Sequence, residues 1–207
     1  MNLTALDFET TGPVPGHPNE PWQVGLVELC GKDLLPATAF ESLLRVAPDR
    51  PFNPAAPGRH AQLRLELAVA PTPHELWPGL FARLQNRVLI AHNIATERNV
   101  LRRIAPLHAF EWIDTLRLVR AAYPTLASKA LEDLIPALGL STELGRLAPN
   151  RQPHDALYDA MACALVFQHV VSLPGWRDLS TGDLVKISTQ SRAGGTRGCR
   201  GRTPRGS

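Results

Sequence analysis

A chain of 207 residues, 44% of them apolar, is long enough for one domain with a proper core. No stretch reaches membrane-spanning length and no secretory signal is visible. Cys30, Cys163 and Cys199 form neither a disulfide framework nor a zinc pattern, so a cytoplasmic protein is expected, with Cys30 and Cys163 as buried thiols. The net charge of +3 comes from one end: Lys186, Arg192, Arg197, Arg200, Arg202 and Arg205 follow the last acid, Asp183, and without them 16 basic residues face 19 acidic ones, which excludes a generally basic surface.

Leu3–Phe8 alternates and ends in a Thr-Thr-Gly turn, the pattern of a strand. Trp22–Cys30 and Phe40–Val46 are two further strand candidates with short, turn-rich connections, consistent with an antiparallel start to a sheet. Four prolines within residues 48–58 mark a loop. His74–Gln85 has helical spacing, with Thr72 as a cap ahead of it. Arg87–Ala91 predicts a short strand, followed by a helix over Thr96–Ile104 that Pro106 stops. Glu111–Ile113 predicts another short strand with Asp114 at its end, then a helix from Thr115 to Ala122. Ser128–Leu138 reads as a helix closed by Gly139, and Asp155–Val171 as a long one. Three early strands followed by alternating helices and strands predict an α/β layer fold with a mixed sheet. The expected domain covers residues 1–180, with a disordered basic Gly/Arg-rich tail over 190–207.

The chemistry-bearing residues stand on these elements. Side chains two apart on a strand share a face, so Asp7 and Glu9 point together and Phe8 belongs to the opposite, core side. Carboxylates grouped this way repel one another unless cations lie between them. His92-Asn93 follows a strand; Asn93 either caps the next helix or serves the site, and Glu97 comes four residues later. A spacing of five would set His154 and Asp159 well apart on one helix. His154 is therefore placed in the loop after Pro153, and Asp159 in the early turns of the helix.

With these motifs in order, the chain over about residues 1–172 resembles the DEDDh (DnaQ-like) exonucleases. Asp7 to Gly12 matches the family's Asp-x-Glu-Thr-Thr-Gly. His92, Asn93 and Leu101 match its second motif, with Glu97 where Asp is usual. His154, Ala156, Asp159 and Ala160 match the third, and Asp114-Thr115-Leu116 matches its Asp-Thr-Leu segment. The resemblance implies a ribonuclease H-like fold, antiparallel in its first three strands and then parallel, that removes nucleotides from a 3′ end with two Mg²⁺ or Mn²⁺ ions. On that pattern Asp7 would bridge both ions, Glu9 and Asp159 would hold the ion that binds the attacking water, and Glu97 would serve the second ion through water. His154, in a mobile loop, would be the general base. Thr10, Thr11, Gly12, His92 and Asn93 would contact the substrate.

The chain departs from the pattern at Glu97, at His60-Ala61-Gln62-Leu63 where His-Gly-Ile-Thr is frequent, and at Pro13 where a Leu often packs on the terminal base. DNA is the favoured substrate, in repair or proofreading-type trimming. RNA 3′-end trimming of the ribonuclease T type is the nearest alternative, and a nucleic-acid-binding relative without catalysis the third. A homodimer or a polymerase or repair complex is the expected assembly. The tail arginines would either touch nucleic acid or be inert, and Trp22, Trp77, Trp112 and Trp176 are expected mainly in the core.

Overall fold

A computed structural model describes residues 2–189. The expected disorder and nucleic-acid contact of the 190–207 tail, like Cys199, lie outside the described residues. The core is a five-stranded sheet in the order β3-β2-β1-β4-β5. Strands β1 (Asn2–Thr10), β2 (Pro21–Cys30) and β3 (Asp33–Leu43) pair antiparallel. The short strands β4 (Val88–Ala91) and β5 (Glu111–Asp114) add in parallel beside β1. The mixed α/β sheet expected from the sequence is therefore the architecture found.

Alternation along β1 sorts its side chains between two cores. Leu3 and Ala5 join the cluster under α7 (Ala156–Val171), while Leu6 and Phe8 join the cluster under α2 (Pro73–Leu84) and α3 (Ala95–Ile104). Helix α7 is apolar almost all round and contributes twelve buried residues, so it lies against the sheet along its whole length. Phe8 is 4% exposed, in the core as expected. Trp22 and Trp112 are buried, and Trp77 and Trp176 pack partly buried against the clusters.

The boundaries differ from the sequence reading in instructive ways. Strand β3 starts at Asp33, because Gly31 opens a two-residue hairpin at φ +61. Pro36 sits inside it without harm, since β3 is the sheet edge and the ladder to β2 shifts register between Leu26 and Glu28. The helix expected over 128–138 is limited to α5 (Leu131–Ala137). Three short helices were not anticipated: α1 (Arg64–Val69), α6 (Ser141–Leu147) and α8 (Thr181–Thr189). Thr72 does cap α2, in a reciprocal capping box with Glu75. Cys163 is buried as expected, but Cys30 is exposed, because it ends β2 at the hairpin corner. No helix among the described residues is long and apolar enough to cross a membrane.

Candidate active site

The C-terminal ends of β1 and β4, the first turns of α3 and α7 and the turn after Thr10 surround a cleft of about 430 Å³. Asp7, Glu9, Glu97, His154 and Asp159 all line it. A ligating atom from each of Glu9, His154 and Asp159 lies within 4.8 Å of the others.

What brings helix α7 onto the two strand carboxylates is a glycine. Gly25 on β2 pairs directly with Asp7, so both residues face α7. A Cβ on Gly25 would lie 2.2 Å from the Leu157 amide nitrogen. The gap admits the first turn of α7, which sets Asp159 beside Asp7 and Glu9. Gln23, opposite Glu9, completes the seat by accepting the Ala156 amide at 3.3 Å. A glycine inside a strand marks such a close approach and was the signal available for it in the sequence. Asp155 caps α7 by accepting the Leu157 and Tyr158 amides.

His154 stands in the loop ahead of α7, as expected, at φ +66, a strained conformation for a residue with a side chain. The loop is tied down: the His154 amide donates to Asp159 Oδ2 at 2.8 Å. Arg151 donates to both oxygens of Asp155, at 2.8 and 3.0 Å, and bidentately to Glu41 on β3 at 2.6 and 2.7 Å. Arg59 reaches Asp155 from the proline-rich loop at 3.3 Å. The imidazole is open to the cleft, with Glu132 Oε2 4.0 Å from Nε2.

The second motif is assembled by Asp114. Its Oδ1 accepts the amides of Asn93 and Leu116, both at 3.0 Å, holding Asn93 at φ +65 and capping α4 (Thr115–Ala122) together. Asn93 does not cap α3 with its side chain; it forms the rim of the cleft. Glu97, a surface charge on sequence grounds alone, is 3% exposed and faces inward. His92 lines the cleft, but both ring nitrogens are engaged, Nδ1 by Thr115 Oγ1 at 2.9 Å and Nε2 by the Lys129 carbonyl at 2.8 Å. Thr10 and Gly12 also line it. Thr11 departs from expectation: it is fully buried and accepts hydrogen bonds from the Glu20 amide and the buried Arg50, away from the cleft. At Gly12 (φ +71) an added Cβ would lie 2.8 Å from Asn53 Cβ, so this turn packs tightly on the 48–58 loop.

The electrostatics are those of a cation site. Burial, then the neighbouring Asp159, Asp155 and Glu97, pushes Glu9 up to about 8. Burial pushes Glu97 up to about 8, with Asp114 adding to the rise. Asp159 rises to about 7, mainly through burial, although the His154 amide opposes the shift. Asp7 is held well above the usual carboxylate range by burial and by Glu97, Asp159 and Glu9. Glu97 Oε2 is buried without a hydrogen-bond partner, a vacancy that a buried oxygen in a native fold rarely has. Four hard oxygen donors with an adjacent imidazole fit divalent ions of the Mg²⁺ or Mn²⁺ type.

Comparison with known proteins agrees with this geometry. Exodeoxyribonuclease 10 of Escherichia coli K12 is 27% identical over 176 residues, covering 84% of this chain and 70% of its own length. A DNA polymerase III subunit epsilon-like protein of Rhodobacter capsulatus is 26% identical over 185 residues, 87% of this chain and 25% of its own. Among solved structures, exonuclease X in complex with 5′-overhanging duplex DNA superposes with a TM-score of 0.68 at 23% identity, covering 90% of this chain and 99% of that one. The nuclease domain of 3′hExo, a DEDDh family member bound to rAMP, gives 0.65 at 15% identity over 83% and 92%. The profile of the RNase_T exonuclease family matches residues 4–167, and the chain belongs to that family, with the ribonuclease H-like fold of its DEDDh-type members.

Proposed function

We propose that the chain is a metal-dependent 3′–5′ exonuclease that releases nucleoside 5′-monophosphates from DNA. Asp7, Glu9 and Asp159 are the direct ligand set for two ions, Glu97 acts on the second ion through water, and His154 is the general base. The observation that carries this reading is the buried, mutually repelling carboxylate cluster, complete with an unpartnered Glu97 oxygen, on the floor of an open cleft. Such a cluster either keeps its protons or takes up a cation, and the open cleft gives a cation access to it.

When bound, Mg²⁺ or Mn²⁺ would acidify the attacking water and neutralise charge that grows on the phosphoryl oxygens. The imidazole of His154 accepts the proton of that water as its oxygen bonds to phosphorus. The bond from phosphorus to the neighbouring 3′ oxygen breaks and that oxygen takes a proton from solvent, leaving a 3′ hydroxyl on the shortened strand and a 5′ phosphate on the released nucleotide, while the His154 imidazole returns its proton to solvent. The Asp155 anchorage keeps the imidazole at the cleft mouth, where the site orients its base before substrate arrives. Thr10, Gly12 and Asn93 form the rim against which the terminal nucleotide rests. Similarity to an exodeoxyribonuclease over most of both chains favours DNA.

Digestion of 5′-labelled DNA and RNA single strands with Mg²⁺ or Mn²⁺ tests the reading. A one-nucleotide DNA ladder that vanishes in chelator and in Asp7→Asn is the expected result. Faster loss of RNA would give the substrate to the ribonuclease T type. Intact strands with binding preserved would reduce the protein to a binding module. His154→Ala separates base from ligand: the base reading requires lost turnover with Mn²⁺ affinity retained.

A further inference from the structure

The cleft does not end at Asn93. On its other side a recess of about 290 Å³ opens between the first turns of α3 and α4 and the last turn of α8, and Asn93 lines both cavities. Its walls carry three arginines, Arg98 from α3 and Arg117 and Arg120 from α4. The placement follows from helix geometry. Glu97 and Arg98 are consecutive, so their side chains diverge by about 100° around α3. One helix thereby turns an acid to the cleft and a cation to the recess. Arg117 and Arg120, three apart, share a face of α4.

The recess holds more positive charge than the protein itself neutralises. Its one acid among the described residues, Asp114, already accepts two backbone amides through Oδ1, and its Oδ2 lies 3.7 Å from Arg117 Nε. Arg98 and Arg120 form no ion pair with a carboxylate among the described residues. Ser188 contributes a hydroxyl that is already used, accepting the Asp114 amide and donating to the Leu184 carbonyl. Three guanidinium groups around one small cavity repel one another, and a polyoxygen anion relieves that repulsion. Arg presents a planar fork of N–H donors that matches phosphate oxygens two at a time.

We propose that the recess framed by Arg98, Arg117 and Arg120 is a second phosphate-binding site, which holds the backbone of the nucleic-acid strand beyond the nucleotide in the cleft. The proposal rests on the exonuclease reading and extends it, since it gives the enzyme a grip on strands longer than the reacting link. It also places the needed positive charge locally on a body that is acidic overall.

The test compares the wild type, Arg98→Ser, Arg120→Ser and the double variant on a fluorescent 20-nucleotide DNA strand and a dinucleotide. A dinucleotide has only the phosphate that occupies the cleft. Binding of the longer strand is measured against salt in chelator, and kcat/KM on both substrates in Mn²⁺. Arg102→Ser with Arg103→Ser, exposed in the last turn of α3, removes equal charge elsewhere. The expected result is a salt slope shallower by ~0.7 per recess arginine, ~1.4 for the pair. The preference for the longer strand should shrink with it, and the control pair should behave as wild type. Unchanged slope and preference in the double variant, or equal loss in the control pair, would overturn the proposal. A wild type that digests neither substrate would instead overturn the exonuclease reading, and the chelator binding curves alone would then decide the recess.

Discussion

One buried acid and the four acids of the adjoining cleft are treated in opposite ways. Asp155 is 2% exposed, yet two arginines and two helix amides surround its carboxylate. Asp7, Glu9, Glu97 and Asp159 lie around the adjoining cleft with no arginine or lysine paired to them among the described residues, and burial raises all four, with neighbouring carboxylates adding to the rise. The fold neutralises the acid it uses as a structural fastener and leaves uncompensated the acids that face the cleft. Charge compensation thus separates architecture from site, since Glu97 at 3% exposed is as deep as Asp155 yet has no cationic partner among the described residues.

The contrast is broken most forcefully by removing one cleft acid. Asp7→Asn should lower mononucleotide release by ~10³-fold or more in a single-turnover assay, the scale of losing a principal electrostatic stabiliser. Folding should survive, because the substitution removes repulsion and Asn keeps the shape. Circular dichroism and melting of the metal-free protein check this; a variant that unfolds would show Asp7 to be a fastener as well. The converse case is Arg151→Ala, which strips Asp155 of its better partner. It should cost ~1–3 kcal/mol, less than the loss of a fully buried pair because Arg59 remains and Arg151 is partly exposed. Denaturant titration measures that cost. kcat should fall ~10-fold with little change in KM, since the strained His154 loop loses its anchor. An activity loss without a stability loss would place Arg151 in contact with the substrate.

The acids of the site were legible in the sequence through the order of their motifs, although Glu97 taken alone read as a surface charge. Asp7 and Glu9 follow strand alternation, and Asp159 and Glu97 lie in helix first turns just after loops that carry His154 and Asn93. Gly25, Gln23 and Arg151 were not legible, because what they do depends on which helix arrives at the sheet. A glycine in a strand announces a close approach without naming the visitor. Asp155 read only as the start of the long helix, and its fastening role depends on Arg151 four residues ahead and on Arg59 from a distant segment. Thr11 was assigned to the substrate by the resemblance alone, and its hydroxyl turns to Glu20 and Arg50 just past the register shift between Glu9 and Thr10. The three missed helices are six, seven and nine residues long and offer few turns for a periodic signal, whereas α4, at eight residues, was found because it directly follows the short strand that ends at Asp114.

The contrast also has a pH signature. Glu9 and Glu97 ionise near 4.5 in the unfolded chain and near 8 in the metal-free fold. Below about pH 4.5 both states hold these protons and no stability is lost. Between 4.5 and 8 the unfolded chain releases them while the fold retains them, so stability falls as pH rises and levels off above 8. In chelator, melting at pH 8 should lie ~5–10 °C below that at pH 5, a few kcal/mol for a chain this size. Mn²⁺ should raise the melting temperature more at pH 8 than at pH 5, because it binds the ionised carboxylates. A metal-free protein that is steadily more stable toward pH 8 would mean that the cleft acids are compensated after all.

The smallest effect concerns the length of Glu97. Its carboxylate reaches the cleft on one methylene more than the Asp usual in the resembling motif, with one oxygen left unpartnered. If Glu97 acts on an ion through water, Glu97→Asp only exchanges reach for an intervening water, since a flexible oxygen shell accommodates either. kcat should then change by less than ~10-fold, and the metal-free melting temperature should stay close to wild type. Glu97→Gln keeps the length and removes the charge, so it should raise metal-free stability at pH 8 and weaken Mn²⁺ binding. A Glu97→Asp variant as inactive as Asp7→Asn would show direct ligation, because only an inner contact is that intolerant of one methylene. The pair of variants therefore separates reach from charge at the one motif position where this chain departs from its family's usual acid.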